Sequence, residues 1–114
     1  MHELSIAQAI VEQAAQVAAR EGAQRIVSIA VVVGALSGVD ADALSFAFPL
    51  AAEGTAAHGA TLTIEPVPVR LRCKACGGEA EAEFPFGACQ ACGAAETEVV
   101  AGRELNIKSV EVLT

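Results

Sequence analysis

The sequence has little positive charge, no long apolar run and no recognisable leader. It contains 7 lysines and arginines against 14 aspartates and glutamates, for a formal net charge of −7. Binding to nucleic acid or to an anionic membrane requires a basic footprint, so this balance argues against both kinds of partner. There is no stretch of 18 apolar residues and no basic segment followed by an apolar one at the start. We therefore expect neither a transmembrane helix nor a secretory signal.

Aromatic side chains and catalytic patterns are also scarce. The only aromatic residues are four phenylalanines, which we interpret as packing residues rather than as platforms for stacking bases. No serine or cysteine is available as a nucleophile beside a histidine. The loop 34–38 lacks the lysine and the spacing of a phosphate-binding loop. An enzyme is therefore not expected. The phenylalanines are Phe46, Phe48, Phe84 and Phe86.

All four cysteines lie in one segment, as two Cys-x-x-Cys pairs separated by twelve residues. A glycine follows each pair and permits the positive φ that a tight metal-binding turn needs. Four thiolates in a tetrahedron favour Zn(II), with iron as the alternative, over disulfides or redox thiols. Cysteines in metal spacing without an export signal indicate a reducing cytoplasm. The predicted ligands are Cys73, Cys76, Cys89 and Cys92.

The rest of the sequence predicts an α+β fold. Apolar residues at helical spacing and runs of β-branched residues indicate these elements in order: a helix over 3–20, a strand over 25–33, a helix over 40–53, a strand over 60–65 that ends at Pro66, and one or two strands over 99–113. The strand 25–33 is nearly all apolar, so we expect a central strand buried on both faces.

The simplest assembly is a small three-stranded sheet covered by two helices, with an inserted zinc-ribbon-like metal domain. We expect one domain over residues 1–69, completed by a final strand over 104–114, and a ribbon domain over 70–103. Within the ribbon, alternating basic residues before the first cysteine pair and alternating acidic residues after it predict two strands whose opposite charges face each other. These residues are Arg70, Arg72 and Lys74, then Glu79, Glu81 and Glu83.

The other concentration of metal ligands is at the amino terminus. The Met1 amine and the amide nitrogen and Nδ1 of His2 can chelate one ion through fused rings, and Glu3 can supply a further ligand. Planar coordination rich in nitrogen suits Ni(II) or Cu(II) rather than zinc. A histidine at a helix start is more often an exposed residue that binds no metal. The prediction therefore depends on the combination of the terminal amine, the nitrogens of His2 and Glu3. Asp40 is interpreted as a helix N-cap rather than a ligand, and His58 as a loop residue.

The two ends together resemble the hydrogenase nickel-incorporation proteins of the HypA/HybF family. The resemblance rests on the opening Met-His-Glu-Leu-Ser, the segments 33–39 and 44–48, the two cysteine pairs, and the ending 102–107 with 110–112. It implies a nickel metallochaperone, with exchangeable Ni(II) as cargo at the Met1 amine, His2 and Glu3, and structural Zn(II) at the four cysteines. It also implies cytoplasmic delivery to a hydrogenase large subunit precursor, in some members to urease, together with a maturation GTPase.

Two other functions stay open at this point. A zinc-ribbon module for protein or nucleic acid would bind one metal only, and the net negative charge counts against nucleic acid. A metalloenzyme would need an open coordination position and a general base, and the sequence offers neither.

Overall fold

The computed structural model describes residues 2–114, and these residues form a mixed α+β structure. The strands make two three-stranded sheets, in the orders β2-β1-β6 and β4-β3-β5. The predicted fold class, with two helices, a small sheet and an added metal-binding part, is confirmed, although that part forms a second sheet of its own. The elements are α1 Glu3–Arg20, β1 Arg25–Gly34, α2 Ala41–Ala52, β2 Thr61–Val67, β3 Val69–Cys73, β4 Glu79–Ala82, β5 Thr97–Ala101 and β6 Leu105–Leu113.

Helix α1 has the predicted bounds because small and branched apolar residues recur along one side of it. Its end is set by Gly22, whose φ of +67° takes the chain out of the helix. The amide of Ala23 then donates to the carbonyl of Ala18 over 2.8 Å, which satisfies one of the last helical carbonyls. The buried side chains of α1 are Ala7, Ile10, Val11, Ala14 and Ala18.

Helix α2 begins at a capping carboxylate, as predicted. The Asp40 side chain accepts hydrogen bonds from the amides of Asp42 and Ala43 over 2.9 and 3.1 Å. Phe48 is buried, but Phe46 is 89% exposed, so the interpretation of Phe46 as a packing residue is wrong. Two positions rotate a side chain by about 200° around a helix, which puts Phe46 on the outer surface.

Strand β1 is central, but only one of its faces is fully buried. Ile29, Val31 and Val33 are buried on one face, whereas Ser28, Ala30 and Val32, which alternate with them, are only half-buried. The prediction of burial on both faces is wrong, because two helices are too few to cover both sides of the sheet. The prediction that the next strand ends at Pro66 is also wrong, since β2 continues to Val67. A proline is tolerated there because β2 is an edge strand.

The chain divides into two compact units. The first contains the chain up to Val32, together with Val39–Glu65 and Asn106–Thr114, and the second contains Val33–Gly38 and Pro66–Leu105. Across residues 2–114, no helix has the length and the apolar character needed to cross a membrane.

Two glycines in the second unit let backbone segments cross closely. Gly34 donates from its amide to the Glu104 carbonyl over 2.6 Å, and Leu36 donates to the Gly102 carbonyl over 2.6 Å. A Cβ on Gly34 would fall on the Gly102 carbonyl and within 2.6 Å of the Glu104 nitrogen. The crossing therefore requires a residue without a side chain at position 34.

Candidate metal centres

The four cysteines converge on one point of the second unit. Their sulfur atoms all lie within 4.8 Å of one another. Each close pair joins the two motifs, with 3.6 Å between the sulfurs of Cys73 and Cys92 and 3.6 Å between those of Cys76 and Cys89. All four are free thiols, and 3.6 Å is far longer than a disulfide bond of about 2.05 Å.

The two cysteine turns have the same backbone design. In the first, Gly77 donates to the Cys73 carbonyl over 2.9 Å, and in the second Gly93 donates to the Cys89 carbonyl over 2.8 Å. Both glycines have positive φ, of +77° and +78°, so the predicted role of a glycine after each pair is confirmed. Each turn thereby directs two sulfurs to the same side of the backbone.

Backbone amides also point at the sulfurs and favour their ionised form. The amides of Ala75 and Cys76 lie 3.3 and 3.4 Å from the Cys73 sulfur. Hydrogen bonds from the Cys76 and then the Ala75 amide lower the pKa of the Cys73 thiol. In the second turn, the Cys92 amide lies 3.5 Å from the Cys89 sulfur. Bonds from the Cys92 and Ala91 amides lower the pKa of Cys89 to about 6.

The pKa of Cys92 shifts in the opposite direction, because the effect of the neighbouring sulfurs is larger than that of its one amide. The amide of Ala94 lowers its pKa, but the thiols of Cys73, Cys89 and Cys76, together with burial, raise it to about 12. Three sulfurs that already carry or share negative charge oppose a further thiolate in the same place. A cation bound among them would remove this repulsion, so the cluster is arranged for a metal rather than for free thiols.

The cluster fits a zinc ion. Tetrahedral zinc bonded to four sulfurs at about 2.3 Å places those sulfurs about 3.8 Å apart. The close pairs at 3.6 Å match this spacing, and the donor set is entirely sulfur. With all four ligands from the protein, no position is left for a substrate, so a bound ion holds the two turns together and supplies no catalysis.

The sheet beside the cluster is held in register by opposite charges. Antiparallel pairing of β3 with β4 places Arg70 opposite Glu81 and Arg72 opposite Glu79, so the predicted hairpin is confirmed. The ion pairs are shifted from that pattern, because Arg70 binds Glu79 diagonally over 3.0 Å and Arg72 binds Glu98 on β5 over 2.8 Å. The sequence did not indicate Glu98, which is 26 residues away from its partner.

Phe84 and Phe86 form a stacked pair, with ring centroids 5.6 Å apart. They line an open cavity of about 520 Å³ together with Cys73 and Cys89, among other residues. Both rings are more than half exposed, at 57% and 69%. They therefore border the cysteine region without being buried by it.

The amino-terminal candidates lie at the start of α1. Met1 lies outside the described residues. His2 is the N-cap of α1 and is exposed, and its side chain makes no capping hydrogen bond. Glu3 is half-buried, and its Oε2 accepts a hydrogen bond from the Asp40 amide over 3.3 Å. This contact spans 37 residues and had no signal in the sequence.

Other titratable residues do not extend this site within residues 2–114. His58 is exposed in a turn after α2, as interpreted from the sequence. The cysteines are the only group of three or more His, Cys, Asp or Glu side chains in the described part of the chain that is close enough to hold a metal. A site at His2 and Glu3 would therefore rely on main-chain and terminal nitrogens.

Comparisons with known proteins agree along the whole chain. The sequence profile described as "Hydrogenase/urease nickel incorporation, metallochaperone, hypA" matches residues 1–112. A hydrogenase maturation factor HypA of Nitrosospira multiformis is 42% identical over 114 residues, covering 100% of this chain and 99% of that protein. One from Chloroflexus aurantiacus is 46% identical over 112 residues, covering 97% and 98%.

Solved structures show the same likeness. The solution structure of the Ni metallochaperone HypA from Helicobacter pylori has a TM-score of 0.68 and 25% identity, covering 100% of this chain and 99% of that one. A second solution structure, of a HypA protein, has a TM-score of 0.74 and 26% identity, covering 99% and 97%.

Proposed function

The chain belongs to the HypA family of hydrogenase/urease nickel-incorporation metallochaperones, and on that premise we propose that it carries Ni(II) at its amino terminus. A member of this family is a maturation factor rather than an enzyme, and its role is in hydrogenase maturation. The proposed nickel ligands are the Met1 amine, the amide nitrogen and Nδ1 of His2, and a further donor from Glu3. The four-cysteine site suits a structural Zn(II).

The observation that carries the nickel site is the free state of His2. Its imidazole is exposed and makes no cap bond, so a metal can use Nδ1 without breaking a structural contact. The first amides of a helix have no partner inside the helix. Helix α1 uses the carbonyl of His2 rather than its amide, because that carbonyl accepts hydrogen bonds from the amides of Ser5 and Ile6 over 3.1 and 3.3 Å. Nitrogen ligation at residues 2 and 3 is thus compatible with an intact α1.

Glu3 is held in place at this site by the second helix. Its Oε2 bonds to the amide of Asp40, whose own carboxylate caps α2. One carboxylate oxygen is thereby anchored, and Oε1 has no partner within residues 2–114. We infer that Oε1 is the oxygen that faces the cargo ion, and that the anchor keeps it near the terminus.

The two metal sites suit opposite tasks. A carrier must release its cargo, and an exposed terminal site with few side-chain ligands permits exchange. A closed set of four thiolates holds its ion tightly and is a scaffold. We therefore assign nickel handling to residues 1–69 with 104–114 and zinc binding to 70–103. This division is supported by the position of His2 and Glu3 in the first compact unit and of every cysteine in the second.

The finer aspects of the role are also proposals. We infer that the hydrogenase large subunit precursor receives the nickel and that a maturation GTPase takes part. We further propose that the protein works in the cytoplasm, because four free thiols poised for zinc persist in a reducing compartment.

Metal analysis of the untagged protein tests the nickel site. Native mass spectrometry of the wild type, loaded with both metals, should show one zinc and one nickel. His2→Ala should lose the nickel and keep the zinc, with an unchanged circular dichroism spectrum. His58→Ala is the matched control, because it removes the other exposed histidine and should keep both metals. Full-affinity nickel in His2→Ala would contradict the terminal site.

A short peptide tag placed before Met1 is a second test. It converts the α-amine into an amide, which removes one nitrogen ligand while leaving His2 and Glu3 unchanged. Nickel binding should weaken by at least tenfold, and zinc content should stay at one per chain. Equal nickel affinity in tagged and untagged protein would show that the amine is not a ligand. A zinc-binding module without a nickel function would show no stoichiometric nickel in either form.

A further inference from the structure

Helix α2 has an apolar strip on its outer surface that the fold does not use. The strip consists of Phe46, Pro49 and Leu50, at positions i, i+3 and i+4, which are neighbours on a helix. Phe46 is 89% exposed, Leu50 is 63% exposed, and Pro49 is also exposed. The opposite side of the same helix supplies the buried residues Leu44 and Phe48. An aromatic ring this exposed contributes little to the core, and contiguous apolar patches mark contact sites.

The charged residues that flank the strip along the chain are acidic. Asp42 and Glu53 stand before and after it in sequence, and neither forms an ion pair with any residue of 2–114. Residues 39–65 contain no lysine and no arginine. The acidic Glu65 in this range is paired with Lys108 over 3.3 Å, so it does not add to the uncompensated charge. The strip is therefore complementary to a partner that is apolar at its centre and basic around it.

The strip also lies along the helix that holds the proposed nickel ligand. Glu3 bonds to the amide of Asp40 over 3.3 Å, and Asp40 caps α2. Phe46 is six residues further on, which corresponds to about 9 Å along the helix axis at 1.5 Å per residue. A macromolecule that covers Phe46 is thus within a short distance of Glu3.

We propose that the strip of Phe46, Pro49 and Leu50 is the docking face for a protein partner that presents an apolar anchor flanked by lysine or arginine. The partner so held lies beside the nickel-carrying terminus and takes part in nickel transfer, which rests on the proposed function. An amphipathic helix or loop laid along α2 would meet these requirements.

Two other occupants fit the charges poorly. A second copy of this chain, placed symmetrically, would bring the acidic residues Asp42 and Glu53 of each copy towards those of the other. An anionic membrane surface would repel the same residues. Lysine and arginine on a different protein would instead pair with them and speed the encounter.

The absence of tryptophan and tyrosine allows a clean reporter of docking. In Phe46→Trp, the single indole starts in water, and its emission should shift to the blue when a partner covers it. The probes are the purified hydrogenase large subunit precursor and the purified maturation GTPase of the same organism, each added separately. A blue shift with either protein supports the proposal. No shift with both proteins, under conditions in which nickel transfer proceeds, overturns it.

The binding contribution of the strip is measured with Phe46→Gln combined with Leu50→Gln. Both side chains are exposed, so the melting temperature and the zinc content should not change. Affinity for the responding partner should fall at least tenfold, as for central aromatic contacts. Leu113→Gln, at a residue 58% exposed on β6, is the matched control and should bind as the wild type does. A double variant that binds within threefold of the wild type overturns the proposal.

The remaining experiments distinguish the possible occupants of the strip, and they distinguish failure of the docking face from failure of the proposed nickel function. Asp42→Asn with Glu53→Gln should weaken binding several-fold and reduce its dependence on salt. The proposal of a different protein as partner is contradicted if the emission of Phe46→Trp shifts to the blue only when the chain self-associates, as measured by sedimentation velocity. It is also contradicted if the shift occurs only when phosphatidylglycerol vesicles are added. Nickel stoichiometry is measured on every sample. A wild-type protein that binds no stoichiometric nickel refutes the proposed function. A strip variant with normal nickel binding and normal affinity for the partner refutes the docking face alone.

Discussion

Replacement of Gly34 by alanine tests the closest backbone crossing in the second unit. The added Cβ would fall on the carbonyl of Gly102 and come within 2.6 Å of the Glu104 nitrogen. All of these are backbone atoms, so no side chain can rotate away. Gly102 has little room to move away, because a Cβ added to it would lie only 3.0 Å from the Cα of Val69.

The loss of stability follows from what must move. Separation of the strands breaks or lengthens two backbone hydrogen bonds, from Gly34 to Glu104 and from Leu36 to Gly102, each 2.6 Å long. Such bonds contribute about 1 kcal/mol each, and forced overpacking adds about 1–3 kcal/mol. We expect the free energy of unfolding to fall by about 3–5 kcal/mol. For a chain of 114 residues this corresponds to a decrease of about 12–20 °C in melting temperature.

The assay is urea unfolding of the zinc-loaded protein, followed by circular dichroism. Gly22→Ala is the control, because Gly22 also has a positive φ of +67° but no atom within 4 Å of its added Cβ. It should lose only about 1–2 kcal/mol, the cost of the left-handed conformation. If Gly34→Ala is no less stable than Gly22→Ala, the crossing is not sterically closed and the reasoning fails.

Three further predictions concern the cysteine unit. Calorimetry in buffers of different ionisation enthalpy counts the protons released when zinc binds. At pH 7.5 the count should be below four, because Cys89, with a pKa of about 6, is already ionised, whereas Cys92 keeps its proton up to about 12 and releases it to the metal. Towards pH 6 the count should rise, because Cys89 then carries a proton in part of the molecules. Without metal, the lowered pKa of Cys89 stabilises the fold above pH 9, and this contribution should disappear in urea titrations as the pH falls from 9 to 6. Arg72→Gln, which leaves Glu98 without its ion pair, should change stability slightly at low salt and not at 0.5 M salt, since both side chains are exposed. A large loss at high salt would show that the pair is structural.

Local patterns were sufficient for much of the fold and for the zinc ligands. The spacing of apolar residues predicted α1 over residues 3–20 because helical neighbours are only three and four positions apart. Two cysteines separated by two residues and followed by glycine form the same turn at both places in this chain. For this reason Cys73, Cys76, Cys89 and Cys92 could be named as one site without any knowledge of the sheet that supports them. The amino-terminal nickel ligands are also a local pattern, and they remain a prediction.

Some features depended on residues far apart in the chain. The strand 25–33 was predicted to be buried on both faces, but two helices leave the face of Ser28, Ala30 and Val32 only partly covered. Phe46 was interpreted as a packing residue like Phe48, although only Phe48 lies four positions from Leu44 on the apolar side of α2, and the structure buries Phe48 and leaves Phe46 exposed. Arg72 was paired by the strand register with Glu98 on β5 rather than with the acidic run nearest to it.

The sequence by itself determined the chemistry of the cysteine site, since thiolate ligands and their turns are set by neighbours within a few positions. It also determined the helices, whose hydrogen bonds are local. Tertiary structure alone decided that Glu3 is anchored to the Asp40 amide and that Gly34 crosses Gly102. These contacts join segments 37 or more residues apart, and no periodicity along the chain records them.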